Sequence, residues 1–208
     1  MKLKWNHPIL IVSPRNAGKT NMARFLILKE GLLGSQADII IVFSNGAAYT
    51  QYEFLLGKKS PHRVYHRLEP AVIDKIFEIN EGRIQQGKIP VKVLIVFDDS
   101  LSKSDRYNVQ VNRCFQFGRI NQIVPLVLQQ SISQVDTTWR SNTDYFITFK
   151  PRTLRDKMYV WENLLCEGKT KKEAFAIMEK MKPYQALVVD YTSGETKCGF
   201  FTAPLVQT

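Results

Sequence analysis

Residues 9–20 read Ile9-Leu10-Ile11-Val12-Ser13-Pro14-Arg15-Asn16-Ala17-Gly18-Lys19-Thr20. The first four are apolar and mostly β-branched, the mark of a buried strand. The next eight match the phosphate-binding loop G-x-x-x-x-G-K-[S/T] at every fixed position but the first, where Ser13 stands for glycine. Such a loop, here Ser13, Pro14, Arg15, Asn16, Ala17 and Gly18, turns backbone N–H groups toward phosphate oxygens and opens into a helix N-terminus. Gly18 permits close backbone approach. Lys19 is placed to bridge the β- and γ-phosphates of ATP, and the Thr20 hydroxyl to ligate Mg²⁺. A small residue such as Ser13 is sterically tolerable. Met22, Ala23, Phe25 and Leu26 then supply the apolar side of a helix over Lys19–Glu30 that Gly31 stops.

The tripeptide Gly-Lys-Ser/Thr arises by chance in about one chain in ten of this length, and this chain holds a second copy, Gly168-Lys169-Thr170. That copy follows the helix-like Trp161–Cys166, so no strand end aims its loop at a nucleotide, and it is expected to be a helix–helix turn. Strand-before and helix-after single out the first copy.

Leu94-Ile95-Val96-Phe97-Asp98-Asp99 is an apolar strand that ends in two carboxylates. The C-terminal end of a parallel strand is the ligand edge of such a sheet. Asp98 is assigned to the metal and Asp99 to the base that orients or deprotonates the attacking water. Many motor ATPases carry Glu at the second place, and Asp is shorter by one methylene. Val124-Pro125-Leu126-Val127-Leu128 ends in Gln129-Gln130-Ser131. A polar amide there suits the γ-phosphate or the water; Gln130 stands narrowly ahead of Gln129, because strand alternation leaves their facing open.

Strand-like runs at 9–12, 38–43, 91–97, 124–128 and 145–149 alternate with helix-like stretches at 19–30, 69–87 and 105–116. This alternation predicts an α/β fold with a mostly parallel central sheet flanked by helices. From Pro151 the pattern changes. Two helices, 154–166 and 170–182, precede two β runs, 186–191 and 197–202, around Thr192-Ser193-Gly194-Glu195-Thr196, a β-hairpin with its loop. The expected division is therefore an ATPase core over 1–150 and a small helical plus β-hairpin extension, packed on the core, over 151–208.

The 208 residues suffice for one such domain with its own core, and a 44% hydrophobic content is that of an ordinary globular chain. No run approaches about 18 apolar residues, so no segment is expected to span a membrane. Met1-Lys2-Leu3-Lys4 is followed by Asn6, His7 and Pro8, which does not read as a secretion signal. Cys114, Cys166 and Cys198 form no CxxC pair and are read as free thiols in a reducing compartment. His62 and His66 have a helical metal-ligand spacing, but Pro61 and Val64 argue against a helix there. The net charge of +10 favours polyanionic partners, with Lys150, Arg152, Arg155, Lys157, Lys169, Lys171 and Lys172 gathered in the last third.

Taken together, the loop SPRNAGKT, the strand LIVFDDS, and the segments FGRINQIVPLVLQQS and VDTTWRSNTDYFITF resemble the FtsK–HerA class of ATPases. Within it, the likeness is to the genome-packaging ATPases of double-jelly-roll DNA viruses, the poxvirus-type and virophage-type enzymes, and covers roughly residues 8–150. Ser13 and Asn121 depart from it; many relatives carry a histidine near the latter. The last 58 residues are outside the resemblance. It implies a P-loop fold of the additional-strand type, with Gln130's strand between those of the loop and the acids. It further implies ATP hydrolysis coupled to translocation of double-stranded DNA into a capsid by a homo-oligomeric ring, commonly of about five or six subunits. Capsid or vertex proteins become partners, and a virion or a host-cell assembly site in cytoplasm or nucleus the location. An arginine from the neighbouring subunit is implied at the nucleotide: Arg119, just before the fourth strand, or Arg140 in Trp-Arg-x-Asn.

The main rival is a nucleoside or nucleotide kinase, also built on a phosphate-binding loop; another DNA-translocating ATPase is the other alternative. The tandem Asp98-Asp99 and Gln129-Gln130 favour water activation over transfer to a small acceptor. A GTPase lacks support, since no Asn-Lys-x-Asp motif is present.

Overall fold

The structure, a computed structural model, describes residues 3–101, 105, 108–165, 169–193 and 196–205. Parts of several sequence expectations therefore lie outside the described residues: Met1 and Lys2, positions 106 and 107 of the helix expected from Asp105, Cys166, Gly168, and the loop residues Gly194 and Glu195.

One eight-stranded sheet forms the spine, in the order β3-β2-β4-β5-β1-β6-β7-β8. The strands are β1 (Ile9–Val12), β2 (Ile39–Ser44), β3 (Arg63–Tyr65), β4 (Val93–Asp98), β5 (Ile123–Gln129), β6 (Tyr145–Phe149), β7 (Gln185–Asp190) and β8 (Lys197–Thr202). Strands β1 to β6 run parallel; β7 pairs antiparallel with β6, and β8 with β7. The order places β5 between β1 and β4, the additional-strand arrangement. It also shows where the hairpin after Pro151 goes: into the same sheet, as its far edge.

The burial of the strands explains their composition. β1, β4, β5 and β6 are buried at every position, because helices cover both faces. On one face, Leu10, Val12, Ile95, Phe97, Val127 and Phe146 meet the helices α3 (Pro70–Gln85), α4 (Val109–Phe117), α5 (Thr137–Ser141), α6 (Leu154–Val160) and α7 (Lys171–Lys180). On the other, Ile9, Ile11, Val42, Val96, Leu126 and Ile147 meet α1 (Lys19–Leu28), the short α2 (Leu33–Gln36) and a 3-10 stretch over Gly46–Leu55. Each fully buried aliphatic side chain contributes about 1.5–3 kcal/mol. The middle strands are thus fixed, and so are the loops at their ends.

Boundaries differ from the sequence expectations by a few residues. α1 ends at Leu28, with Lys29 as its cap. α4 starts at Val109, where the Asn108 side chain accepts from the Val111 N–H. The helix expected over 154–166 is α6 continued by a π turn over Trp161–Leu165. Strand β3 was not legible: three residues carrying an exposed Arg63 give no periodicity, and pairing with β2 makes it a strand. His62 there accepts the Ile40 N–H on Nδ1, a structural role at this edge. Asn121 is buried; its side-chain amide donates to the Phe117 carbonyl, and its backbone carbonyl accepts from the buried Asn80 side-chain amide. Asn80 also exchanges hydrogen bonds with Val91, tying α3 to the entries of β4 and β5.

Candidate nucleotide site

The loop 13–20 leaves the end of β1 and enters α1. The Ser13 N–H donates to the Gln129 carbonyl (3.0 Å), which joins the loop to β5. Gly18 has φ 106°, a left-handed conformation unfavourable to side chains. A Cβ there would lie 3.2 Å from Tyr184 Cδ1 and 3.3 Å from Phe149 Cε1. Ser13 is buried, and its hydroxyl has no hydrogen-bond partner among the described residues. The Lys19 ammonium folds back on its own loop and donates to the carbonyls of Ser13 (2.8 Å) and Pro14 (3.0 Å). Burial lowers its pKa from the usual lysine value, and the Asp99 and Asp98 charges pull the other way.

The acid strand reaches the same place. Thr20 Oγ1 donates to Asp98 Oδ2 at 2.9 Å, and so does the Tyr52 hydroxyl at 2.9 Å. Asp98 is 1% exposed. Burial pushes its carboxyl up from the ordinary value; the hydroxyls of Thr20 and Tyr52 pull it back. Burial likewise raises the Tyr52 phenol, which keeps it a donor. Asp99 takes φ 50° and turns out of the strand into the cleft. Asn45 donates to its backbone carbonyl (3.1 Å), and the Gln130 amide to its Oδ1 (2.9 Å). Gln130 in turn accepts from Arg15 Nε at 2.8 Å. A chain Arg15–Gln130–Asp99 thus crosses the cleft from loop to acid. Gln129 is buried, and the structure brings Gln130 to the opening instead.

Arg15, Gly18, Lys19, Thr20, Asp99 and Gln130 line a cleft of about 540 Å³ at the C-terminal edge of the sheet, with the buried Asp98 behind Thr20. Lys19, Thr20, Asp98, Asp99 and Gln130 are brought together from β1, β4 and β5, which lie side by side. A hydroxyl beside a buried carboxylate is a hard-oxygen set of the kind Mg²⁺ takes. The fit is also electrostatic: burial disfavours the Asp98 anion, and a cation at Thr20 would favour it.

The two arginines are elsewhere. Arg119 lies before β5, at the opposite edge of the sheet from the cleft of its own chain. Its Nη2 pairs with Asp144 Oδ2 (2.7 Å), which also accepts from His7 Nδ1 (2.8 Å). Its side chain is 62% exposed. Arg140 lies on α5 with its guanidinium 5.8 Å from the Tyr159 ring; its Nε has no hydrogen-bond partner among the described residues.

Three contributors, Tyr52, Asn45 and Tyr184, were not named from sequence. Arg15 was counted only as part of the loop. Tyr52 and Asn45 lie in or beside the 3-10 stretch, and Tyr184 comes from the turn before β7; none carries a motif.

No protein-family model matches the chain, and no curated protein matches it in sequence. Solved structures do match. The DNA-packaging ATPase B204 from Sulfolobus turreted icosahedral virus gives a TM-score of 0.63 at 14% identity, over 94% of this chain and 98% of that one. The genome-packaging NTPase B204 from Sulfolobus turreted icosahedral virus 2, in complex with ATP-gammaS, gives 0.63 at 14% identity over 93% and 96%. EssC (ATPases 2 and 3) from Geobacillus thermodenitrificans gives 0.70 at 13% identity, over 97% of this chain and 40% of that one. At these identities the likeness shows the fold: the chain has the P-loop ATPase fold that the sequence resemblance implied.

Proposed function

We propose that this chain is an ATP-hydrolysing motor subunit that translocates double-stranded DNA, and that its task is to package a viral genome into a capsid. The observation that carries the hydrolytic part is the hydrogen bond from Thr20 to Asp98, which closes loop and acid strand into one site, with the Gln130–Asp99 pair beside it.

In this reading the loop N–H groups and Lys19 hold the β- and γ-phosphates, the ammonium exchanging two carbonyls of its own loop for phosphate oxygens. Thr20 and Asp98 would hold Mg²⁺, which supplies positive charge for those oxygens when bound. Asp99 takes a proton from the attacking water, and Gln130 orients both. Arg119 lies too far from its own cleft to act in cis, and is assigned to the neighbour's nucleotide in a ring. Exposed Phe117 and Ile120 flank it, which suits a subunit interface. Arg140 is the second candidate for that role or for a sensor.

The DNA part rests on the +10 charge, the sequence resemblance and the B204 fold. The test is an ATPase assay with and without duplex DNA, and with nucleoside monophosphates as acceptors. Stimulation by duplex of any sequence, fading steeply as salt rises, is expected. Phosphoryl transfer to a monophosphate without DNA stimulation would replace this reading with a kinase. For Arg119, subunits carrying Arg119→Ala are mixed with subunits carrying Lys19→Ala, each inactive alone. Hydrolysis that returns on mixing marks a trans arginine; Arg119→Ala that hydrolyses normally with DNA removes the assignment.

A further inference from the structure

We infer that Tyr184 is the platform on which the base of the bound nucleotide stacks. The inference rests on the nucleotide site proposed above and extends it to the half of the ligand that the phosphate-binding residues do not touch.

The direction of the ligand follows from strand order. The loop hangs between β1 and α1. On one side of β1 lie β5 and then β4, carrying Gln130, Asp98 and Asp99; on the other lies β6, then β7. The γ-phosphate must face the acids, where water attack takes place. The α-phosphate and nucleoside then leave toward β6 and β7. There Phe149 closes β6, and the turn Lys182–Gln185 opens β7.

That turn presents an aromatic ring. Gln185 N–H donates to the Lys182 carbonyl (3.1 Å), and Lys182 N–H to Gln185 Oε1 (3.1 Å), closing the turn at both ends. Tyr184 within it has φ 59°, a conformation that costs a residue with a side chain energy and is kept when the surroundings impose it. The residue is 61% exposed, yet its ring comes within 3.2 Å of where a Cβ on Gly18 would lie. Phe149, 3% exposed, approaches the same point of Gly18, at 3.3 Å.

Two clefts meet at this ring. Tyr184 and Asn16 line both the phosphate cleft and a neighbouring groove of about 530 Å³ between the loop, the β6–α6 connection and the α7–β7 turn. Ion pairs line this groove: Glu179 at the end of α7 takes Lys157 of α6 and Lys150 after β6. A base is flat and apolar on its faces, and an exposed tyrosine face at the exit of a phosphate site suits it; stacking of this kind tolerates every base.

The test uses the full chain and two ligands, ATP and inorganic tripolyphosphate, titrated calorimetrically with Mg²⁺ present. Tyr184→Gly removes the ring and suits the positive φ, so the turn keeps its shape. ATP affinity is expected to fall about 5- to 20-fold in Tyr184→Gly, with tripolyphosphate unchanged within about 2-fold, and Tyr184→Phe to bind ATP like the unsubstituted chain. Unchanged ATP affinity in Tyr184→Gly overturns the inference. So does an equal loss for both ligands, which would assign the ring to loop support. An unsubstituted chain that binds neither ligand overturns the nucleotide site itself, a separate outcome.

Discussion

Lys19-Thr20 and Lys169-Thr170 are the same dipeptide in two places, and they do unlike things. Lys19 follows a buried strand, and its ammonium folds over carbonyls that a phosphate would displace. Thr20 donates to Asp98, 78 residues on. Lys169 gives its backbone carbonyl to the Trp161 indole (3.1 Å). Thr170 caps α7: its hydroxyl accepts the Glu173 N–H, and Glu173 returns a bond to the Thr170 N–H, a capping box. In the first place the hydroxyl faces chemistry brought from another strand. In the second it ends a helix. A short motif gains its meaning from the element before it and from what the sheet sets opposite.

The largest contrast expected is between the two lysines. Lys19→Ala should lose ATP hydrolysis by about 10³-fold or more, since a charged contact to the transferring group is removed. Lys169→Ala should hydrolyse within about 2-fold of the unsubstituted chain, because its side chain serves no phosphate in this arrangement. Turnover, with circular dichroism to check folding, decides it; an inactive Lys169→Ala would reverse the roles of the two copies.

A second measurement separates the acids that only the first copy faces. Asp99→Asn should slow single-turnover hydrolysis by about 10²-fold while leaving Mg·ATP affinity nearly intact. Asp98→Asn should weaken binding in the presence of Mg²⁺ by about 10-fold, as one hard-oxygen ligand loses its charge. Equal effects on affinity and rate in both variants would end this division of labour.

Asp98 also gives a pH signature in the chain without nucleotide. Burial raises its folded-state pKa above the 3.8 of an ordinary aspartate. The folded chain therefore holds this proton more tightly than the unfolded chain. Ionisation costs stability as pH rises through the folded value, and the cost vanishes once pH falls below 3.8. Asp98→Asn is expected to be more stable than the unsubstituted chain at pH 7, the difference closing toward low pH. Urea unfolding across that range checks the sign; a less stable Asp98→Asn at pH 7 would show that the charge is already compensated.

The smallest effect belongs to the second copy. Thr170→Ala should cost about 1 kcal/mol of stability, by loss of the cap, or roughly 2–4 °C in melting temperature. Its ATPase rate should stay as it was. Thermal unfolding and turnover on one sample show whether the two threonines are as separate as their surroundings.

The sheet was legible because its strands are buried on both faces, so Ile9–Val12, Leu94–Phe97 and Val124–Leu128 appear as unbroken apolar runs. The edges were harder: β3 is too short for a pattern, and β8 is exposed at most positions. Gln129 and Gln130 could not be told apart in sequence, since a strand end may turn either way. The hydrogen bonds of Gln130 to Asp99 and Arg15 show which one enters the cleft.

By itself the sequence determined the loop, the acid pair and the alternation of strand and helix, because each is a local pattern with a local cause: backbone N–H groups, strand-end carboxylates, apolar periodicity. Only the tertiary structure decided that β5 lies between β1 and β4, that the hairpin after Pro151 joins the same sheet, that Tyr52 reaches Asp98 and that Tyr184 reaches the loop. Those contacts join residues far apart in the chain, Tyr52 and Asp98 across 46 positions among them. They depend on which strands pair and where a turn leaves the sheet, and the closing of the core fixes both while no single segment does.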